Sequence, residues 1–275
     1  MIVFPNCKIN LGLSITAKLP DGYHDIETAF FPIPFYDILE IIPGPNSADC
    51  SLEQTGLHIA GSPEHNLCVK AYHLLKKDFP TLPPITLYLH KQIPTGAGLG
   101  GGSADGAFML QALVKKFQLS VSTEQLKHYA LLLGSDCPFF IENKPMLATG
   151  RGENMRPLEI DLKGWQLVLL LPGLSISTKE VFSGCTPRMP AHSIEQVVRE
   201  PVSTWRDQLV NQFEETVFLY HPRLESAKQS LYAQGAVYAS MTGTGSTIYG
   251  LFSNAPNAAT LREQCGCEVR VLQLY

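Results

Sequence analysis

Ile85-Thr86-Leu87-Tyr88-Leu89-His90-Lys91 followed by Pro94-Thr95-Gly96-Ala97-Gly98-Leu99-Gly100-Gly101-Gly102-Ser103-Ala104 is the stretch that decides how this chain is read. Ile85, Leu87 and Leu89 alternate with Thr86, Tyr88 and His90, the period-two pattern of a half-buried strand. Beyond the glycines, Ala104, Ala107, Phe108, Val114 and Phe117 recur at helical spacing, which predicts a helix from Ser103 onward with those residues on its apolar stripe. Between the two lie five glycines in the seven residues from Gly96 to Gly102. Glycine leaves backbone N–H groups uncovered, and a helix N-terminus adds the positive end of a dipole. Strand, glycine loop and helix in that order form a place to hold an anion.

Glycines also make ordinary strand-to-helix turns, but each carries an entropic cost, and one turn does not require three in succession. Among phosphate loops, a P-loop ends in Gly-Lys-Ser/Thr, and Gly102-Ser103-Ala104 has no lysine. Gly96, Gly98 and Gly101 satisfy Gly-x-Gly-x-x-Gly. A dinucleotide site also needs an acid at a second strand end about twenty residues on. That place falls at Leu119-Ser120-Val121-Ser122, without acid or strand pattern.

The 275 residues suit one large domain or two small ones. Hydrophobic content of 45% with 17% charged residues is that of a soluble globular protein. A net charge of −4 offers no basic field for a nucleic acid, so anions are held by local donors and a few lysines. The seven cysteines are scattered, with no C-x-x-C pair and no zinc spacing, which fits a reducing cytoplasm and gives no metal ligands. The N-terminus lacks a signal-peptide pattern. The longest comparable apolar run, Leu167 to Leu171, is far short of the ~20 residues a membrane span requires.

Along the chain, Cys7 to Ile15 alternates strictly, placing Lys8 and Asn10 on one face and Ile9, Leu11, Leu13 and Ile15 on the other. Pro20-Asp21-Gly22 is a turn, with Tyr23 and His24 opening the next extended segment. Phe30 to Ile42 and Ser51 to Ile59 read as strands joined by a Pro43-Gly44-Pro45-Asn46 turn. Asn66 is a helix cap for an apolar face of Leu67, Ala71, Leu74 and Leu75. Ser122-x-x-Gln125 is a capping box for a helix that Gly134 ends. In Gly134-Ser135-Asp136-Cys137-Pro138-Phe139, the aspartate is on its own a turn or cap residue. Thr149 to Glu153 is a tight turn and the expected domain boundary. Beyond it the pattern predicts a strand at Leu167 to Leu171, helices near Glu180, from Trp205 to Tyr220 and from Pro222, then strands Ala236 to Ser240 and Thr247 to Phe252. A helix near Ala258 and a last strand near Val269 follow, an order that suits α+β.

Three motifs now resemble one family. Pro94 to Ala104 resembles the second motif of the GHMP small-molecule kinases, a loop that binds ATP phosphates. Pro5-Asn6-Cys7-Lys8-Ile9-Asn10-Leu11 resembles the first, with Cys7 in place of a more usual alanine. Met241-Thr242-Gly243-Thr244-Gly245-Ser246 resembles the third, a second glycine turn. Gly134 to Phe139 is similar to the segment that carries the family's catalytic aspartate, with Ser135 and Cys137 as departures. Asp21-Gly22-Tyr23-His24 is similar to the signature of one branch, which phosphorylates 4-diphosphocytidyl-2-C-methyl-D-erythritol in the non-mevalonate route to isoprenoids.

The resemblance implies a two-domain α+β fold. Residues 1–150 would form an ATP-binding α/β domain like that of a small-subunit ribosomal protein, and 151–275 a ferredoxin-like α+β domain. It implies ATP and Mg²⁺, a cytidine-diphosphate-linked alcohol as substrate, and a monomer or homodimer. Asp136 would be the base and Lys8 its electrostatic partner. Asn10, Tyr23, His24, Thr178 and Phe182 would meet the substrate, with Tyr23 and Phe182 on the two faces of the cytosine. Thr242, Gly243, Thr244 and Gly245 would close the phosphate side, and Ser103 would offer a hydroxyl to the ion. A homoserine or mevalonate kinase of the same family, or a nucleotide-binding module without catalysis, are the alternatives.

Overall fold

In the computed structural model, residues 1–45, 49–59 and 61–275 are described. Asn46 of the expected turn lies outside them. Two compact units emerge, interleaved in sequence: Met1–Cys7, Phe35–Thr95 and Gly100–Lys144 in one, and Lys8–Pro34, Gly96–Leu99 and Pro145–Tyr275 in the other. A division at 150 follows the order of the motifs and does not follow these units. The strands near the N-terminus, Asn6–Lys18 and His24–Tyr36, share a sheet with Met146–Gly150 and Asn154–Pro157 from far along the chain.

In the first unit the Ile85–Lys91 strand lies between Ile38–Pro43, antiparallel to it, and Cys50–Gly56, parallel to it. Ile2–Val3 completes the edge. Ile85, Leu87 and Leu89 are buried as the alternation requires, while Tyr88 and His90 face solvent. The expected single strand from Phe30 to Ile42 is broken at Asp37, which ends one strand at Tyr36 and precedes the next at Ile38.

By the same parity Lys91 falls on the buried face, and there its ammonium meets two carboxylates, Asp37 and Asp105, the latter at 2.7 Å. The second Asp37 oxygen accepts the N–H groups of Gln92 (2.6 Å) and Ile93 (2.9 Å), fixing the chain where it leaves the strand for the glycine loop. Burial opposes the charge on Lys91, but Asp105 and Asp37 hold its pKa above the ordinary lysine value. Burial lifts the Asp105 carboxyl far above the usual carboxylate range, against the pull of Lys91.

The helix after the loop runs Gly101–Lys116 and is buried on most sides, with Ala104, Ala107, Met109, Leu110, Ala112 and Leu113 inside. The narrow stripe through Phe108, Val114 and Phe117 is therefore corrected. Helices Leu67–Asp78, Thr123–Leu133 and Phe139–Glu142 all pack on this helix, so more of its surface is buried than one stripe would cover, and Lys115 is its one exposed residue. The caps stand as read: Asn66 Oδ1 accepts the Cys68 N–H at 2.8 Å, and Ser122 and Gln125 cap reciprocally.

The second unit holds the four-stranded sheet already named and an antiparallel sheet ordered Tyr238–Met241, Ile248–Phe252, Gln166–Leu171, Glu268–Gln273. Its core joins Leu13 and Ile15 to Val168, Leu170, Phe213, Leu231, Ile248, Phe252 and Leu261. The expected helix from Trp205 to Tyr220 is instead a 3₁₀ turn, Val202–Asp207, and a helix, Phe213–Tyr220. The break is made by Asn211, whose Oδ1 accepts the Phe213 N–H at 3.0 Å while its Nδ2 donates to the carbonyls of Met241 and Gly243. All seven cysteines are free thiols, and among the described residues no helix is long and apolar enough to cross a membrane.

Removing one partner of a buried ion cluster leaves a charge uncompensated, at a cost of about 3–5 kcal/mol. Asp37→Ala should lower the chemical-denaturation midpoint by a corresponding amount, whereas an exposed control such as Glu124→Ala should stay within roughly ±0.5 kcal/mol.

Candidate active site

The first-motif strand is buried on both faces. Lys8 and Asn10, on the polar face, are almost fully enclosed. The Lys8 ammonium donates to Asn10 Oδ1 at 2.6 Å and to the Gly98 carbonyl at 3.2 Å, and lies 4.8 Å from the centre of the Phe30 ring. Asn10 spends every polar atom: its N–H donates to Thr242 Oγ1 (3.0 Å), its Nδ2 to Thr28 Oγ1 (2.9 Å), and its carbonyl accepts from Tyr249 (2.7 Å). The Thr242 hydroxyl is within reach of both Asn10 Oδ1 and the Gly98 carbonyl. One asparagine thereby joins the first motif, the start of the glycine loop and the third motif. Its side-chain amide is engaged within the protein, Oδ1 accepting from Lys8 and Nδ2 donating to Thr28, beside the substrate contact expected of it.

The loop glycines divide by cause. Gly96, Gly98 and Gly100 have φ of +68°, +79° and +70°, the left-handed region. A Cβ on Gly98 would meet the Thr242 carbonyl oxygen at 2.0 Å, and one on Gly101 the Ile93 side chain at 2.7 Å. Gly102 has open space around it. The helix beginning at Gly101 has Gly100 at its N-cap, with no side-chain cap and no acid in its first turn. Its leading N–H groups are thus left to a ligand, the arrangement that receives phosphate.

Asp136 sits in the turn between helices Thr123–Leu133 and Phe139–Glu142, where the Cys137 N–H donates to the Gly134 carbonyl at 3.1 Å. The aspartate is half-buried and its neighbour Cys137 wholly so. Burial pushes the Cys137 thiol up to about 12, eased by a hydrogen bond with Ser103. That bond sets the Asp136 turn beside the first turn of the loop helix.

Tyr23 projects from the Pro20 to Gly22 turn and is 58% exposed. His24 stacks on Phe182 at 5.2 Å between ring centres, with 27° between planes. Burial and the nearby Lys18 charge lower the His24 pKa, so the imidazole is neutral at pH 7 and can offer one donor and one acceptor. Phe182 comes from helix Thr178–Gly184, whose N-cap Ser177 accepts the Glu180 N–H. Thr178, at the helix start, has its hydroxyl 3.4 Å from that of Thr244. The third motif, Thr242 to Gly245, follows strand Tyr238–Met241 and is held by Asn211 and by Glu214, which accepts the Met241 N–H at 2.7 Å.

The chain's middle and C-terminal parts match two family descriptions, GHMP kinases N terminal domain over residues 66–144 and GHMP kinases C terminal over 194–270. It is 53% identical over 254 residues to a 4-diphosphocytidyl-2-C-methyl-D-erythritol kinase of Bacteroides fragilis, covering 92% of both chains. The chain belongs to the GHMP kinase family. A protein of the same description from Bacteroides thetaiotaomicron is 52% identical over 92% of both chains. A crystal structure of 4-(cytidine 5'-diphospho)-2C-methyl-D-erythritol kinase superposes with a TM-score of 0.84 at 28% identity, over 99% of this chain and 98% of that one. Homoserine kinase from Cytophaga hutchinsonii, at 12% identity and a TM-score of 0.69, shares the fold.

Residues the motifs did not single out also support the candidate site of this GHMP kinase. Asn211 and Glu214 bind the third glycine turn from behind, and no local signal in the sequence marked them. For Lys91 the signal was present, since it occupies a buried position of an alternating strand.

Gly98 supplies the sharpest steric test. Gly98→Ala combines a left-handed backbone, which costs an L-residue roughly 1–2 kcal/mol, with an overlap the Thr242 carbonyl cannot escape. ATP affinity measured by titration should fall at least about tenfold, equivalent to ~1.4 kcal/mol. Gly102→Ala, with free space around it, should leave the unfolding temperature unchanged.

Proposed function

We propose that this chain transfers the γ-phosphoryl group of ATP to a hydroxyl of 4-diphosphocytidyl-2-C-methyl-D-erythritol, the 2-position hydroxyl, in the non-mevalonate (MEP) route to isoprenoid precursors. The observation that carries the reading is the match across 92% of both chains to kinases described by that substrate. The residues fit it. The Gly96 to Ser103 loop has the uncapped helix start that an ATP phosphate group requires.

In the mechanism we propose, Asp136 takes the proton of the attacking hydroxyl. Lys8, held by Asn10 and the Gly98 carbonyl, presents positive charge to the transferring phosphoryl group. A loose transition state is served by such positioning and charge more than by covalent chemistry. Tyr23, His24 and Phe182 form the nucleoside side, and Thr178 stands beside the third glycine turn.

Mg²⁺ in phosphoryl transfer is usually held by substrate phosphates and only one or two protein oxygens. The half-exposed Ser103 hydroxyl at the helix start would offer one such oxygen. The ion would supply charge neutralisation on the β- and γ-phosphates. We assign the reaction to the cytoplasm, in keeping with seven free thiols.

A coupled ADP-release assay across candidate alcohols tests the reading. The cytidine-linked substrate should support turnover, and homoserine and mevalonate should not; turnover on either of these would reassign the enzyme within its family. Asp136→Asn should lower kcat by on the order of 10²–10⁴ with ATP binding retained. A folded Asp136→Asn protein of near-normal kcat would return the aspartate to a capping role.

A further inference from the structure

The hairpin that joins Met146–Gly150 to Asn154–Pro157 turns through Arg151, Gly152 and Glu153. Gly150 and Gly152 have φ of +70° and +104°. The Arg151 N–H donates to Glu153 Oε2 at 2.6 Å, and the Gly152 N–H to the Thr149 carbonyl at 3.1 Å. These two bonds close the turn on itself. Strand register pairs Gly150 with Ile26, which brings the hairpin tip beside the Asp21 to Tyr23 turn.

There the Arg151 guanidinium lies over the Tyr23 ring, its Cζ 3.9 Å from the ring centre, and pairs with the Asp21 carboxylate. Asp21 closes the triangle, since its other oxygen accepts the Tyr23 N–H at 3.1 Å. A second bond, Leu19 N–H to the Tyr23 carbonyl at 2.8 Å, holds the backbone below. Three residues from two turns therefore fix one tyrosine. With one face under the guanidinium and 58% of the residue still exposed, the open part of the ring is its opposite face and edge.

We propose that Arg151 is a positioning residue for nucleoside recognition: it backs one face of Tyr23 so that the other stands ready to stack on the pyrimidine. The inference rests on the cytidine reading above and adds to it a residue outside the recognised motifs. Stacking needs a flat ring held at a set angle, and ordering an exposed side chain on binding weakens the complex. A guanidinium does this better than an ammonium, because it is planar, lies flat on an aromatic face and can pair with a carboxylate in the same plane.

The test uses cytidine, CMP and ATP as probes in equilibrium titrations of the full-length chain, with wild type, Arg151→Ala, Arg151→Lys, Tyr23→Ala and the Arg151→Ala/Tyr23→Ala double variant. All these positions are exposed, and unchanged thermal unfolding confirms that the variants fold. Tyr23→Ala should weaken cytidine and CMP by about ten- to a hundredfold. Arg151→Ala should weaken both equally, by about two- to tenfold, leave ATP unaffected, and raise KM for the alcohol substrate without changing kcat. Arg151→Lys should recover only part of the loss, and Arg151→Ala should add nothing once Tyr23 is gone.

Cytidine binding that is unchanged or tighter in Arg151→Ala would overturn the proposal and leave the cytidine reading standing. So would a loss confined to CMP, which would make Arg151 a phosphate contact. If Tyr23→Ala itself leaves cytidine and CMP binding intact, the cytidine reading fails and the role of Arg151 falls with it.

Discussion

A buried primary amide with all its polar atoms in use is expensive to misplace, and the geometry around the proposed phosphate-transfer lysine depends on one. Asn10 accepts the Lys8 ammonium at 2.6 Å and bonds Thr28 through its side chain and Thr242 and Tyr249 through its backbone, so distant stretches of chain are registered against a single residue. Lys8 alone could rotate about four side-chain bonds; between Asn10, the Gly98 carbonyl and the Phe30 ring it cannot. Removing one partner from such a network costs more than the bond itself, since the group left behind stays buried without a partner. Position and charge in this site are consequently properties of a network and not of Lys8.

The second buried polar system, Lys91 with Asp37 and Asp105, works on a different scale. It joins the end of a strand, the residues that open the glycine loop and the second turn of the following helix. Replacing such a cluster by apolar residues can be neutral for stability. A hydrophobic substitute would, however, lack acceptors for the Gln92 and Ile93 N–H groups, and with them a fixed departure of the loop from the sheet.

Much of this was legible in the sequence where a residue's role follows from its neighbours in the chain. Period-two alternation located Ile85–Lys91 to the residue, and the caps at Asn66 and Ser122 marked their helices, because these signals act over a few positions. The glycine loop could be read because glycine is demanded by local backbone angles. What stayed hidden depends on partners far away. Asn211 falls inside the helix expected from Trp205 to Tyr220, yet its amide serves carbonyls some thirty residues on. The apolar stripe of Gly101–Lys116 is narrower than its buried surface, because the number of helices packed on it does not show in its own sequence. His24 and Phe182, read separately as nucleoside contacts, stack on one another, a relation no spacing could express.

The interleaved order of the two units bears on how the chain is made. Residues 8–34, which carry Lys8, Asn10 and Tyr23, leave the ribosome early, but their sheet partners Met146–Gly150 and Asn154–Pro157 and the Thr242 and Tyr249 hydroxyls come much later. At synthesis rates of roughly 5–20 residues per second, the early strands wait on the order of ten seconds for those neighbours. The unit holding Asp136 is complete once Lys144 has emerged and can fold first. The Lys8 part of the proposed site is thus assembled last during translation, and a stalled or truncated chain would carry a folded unit holding Asp136 and an apolar strand without its partners, a natural substrate for chaperones.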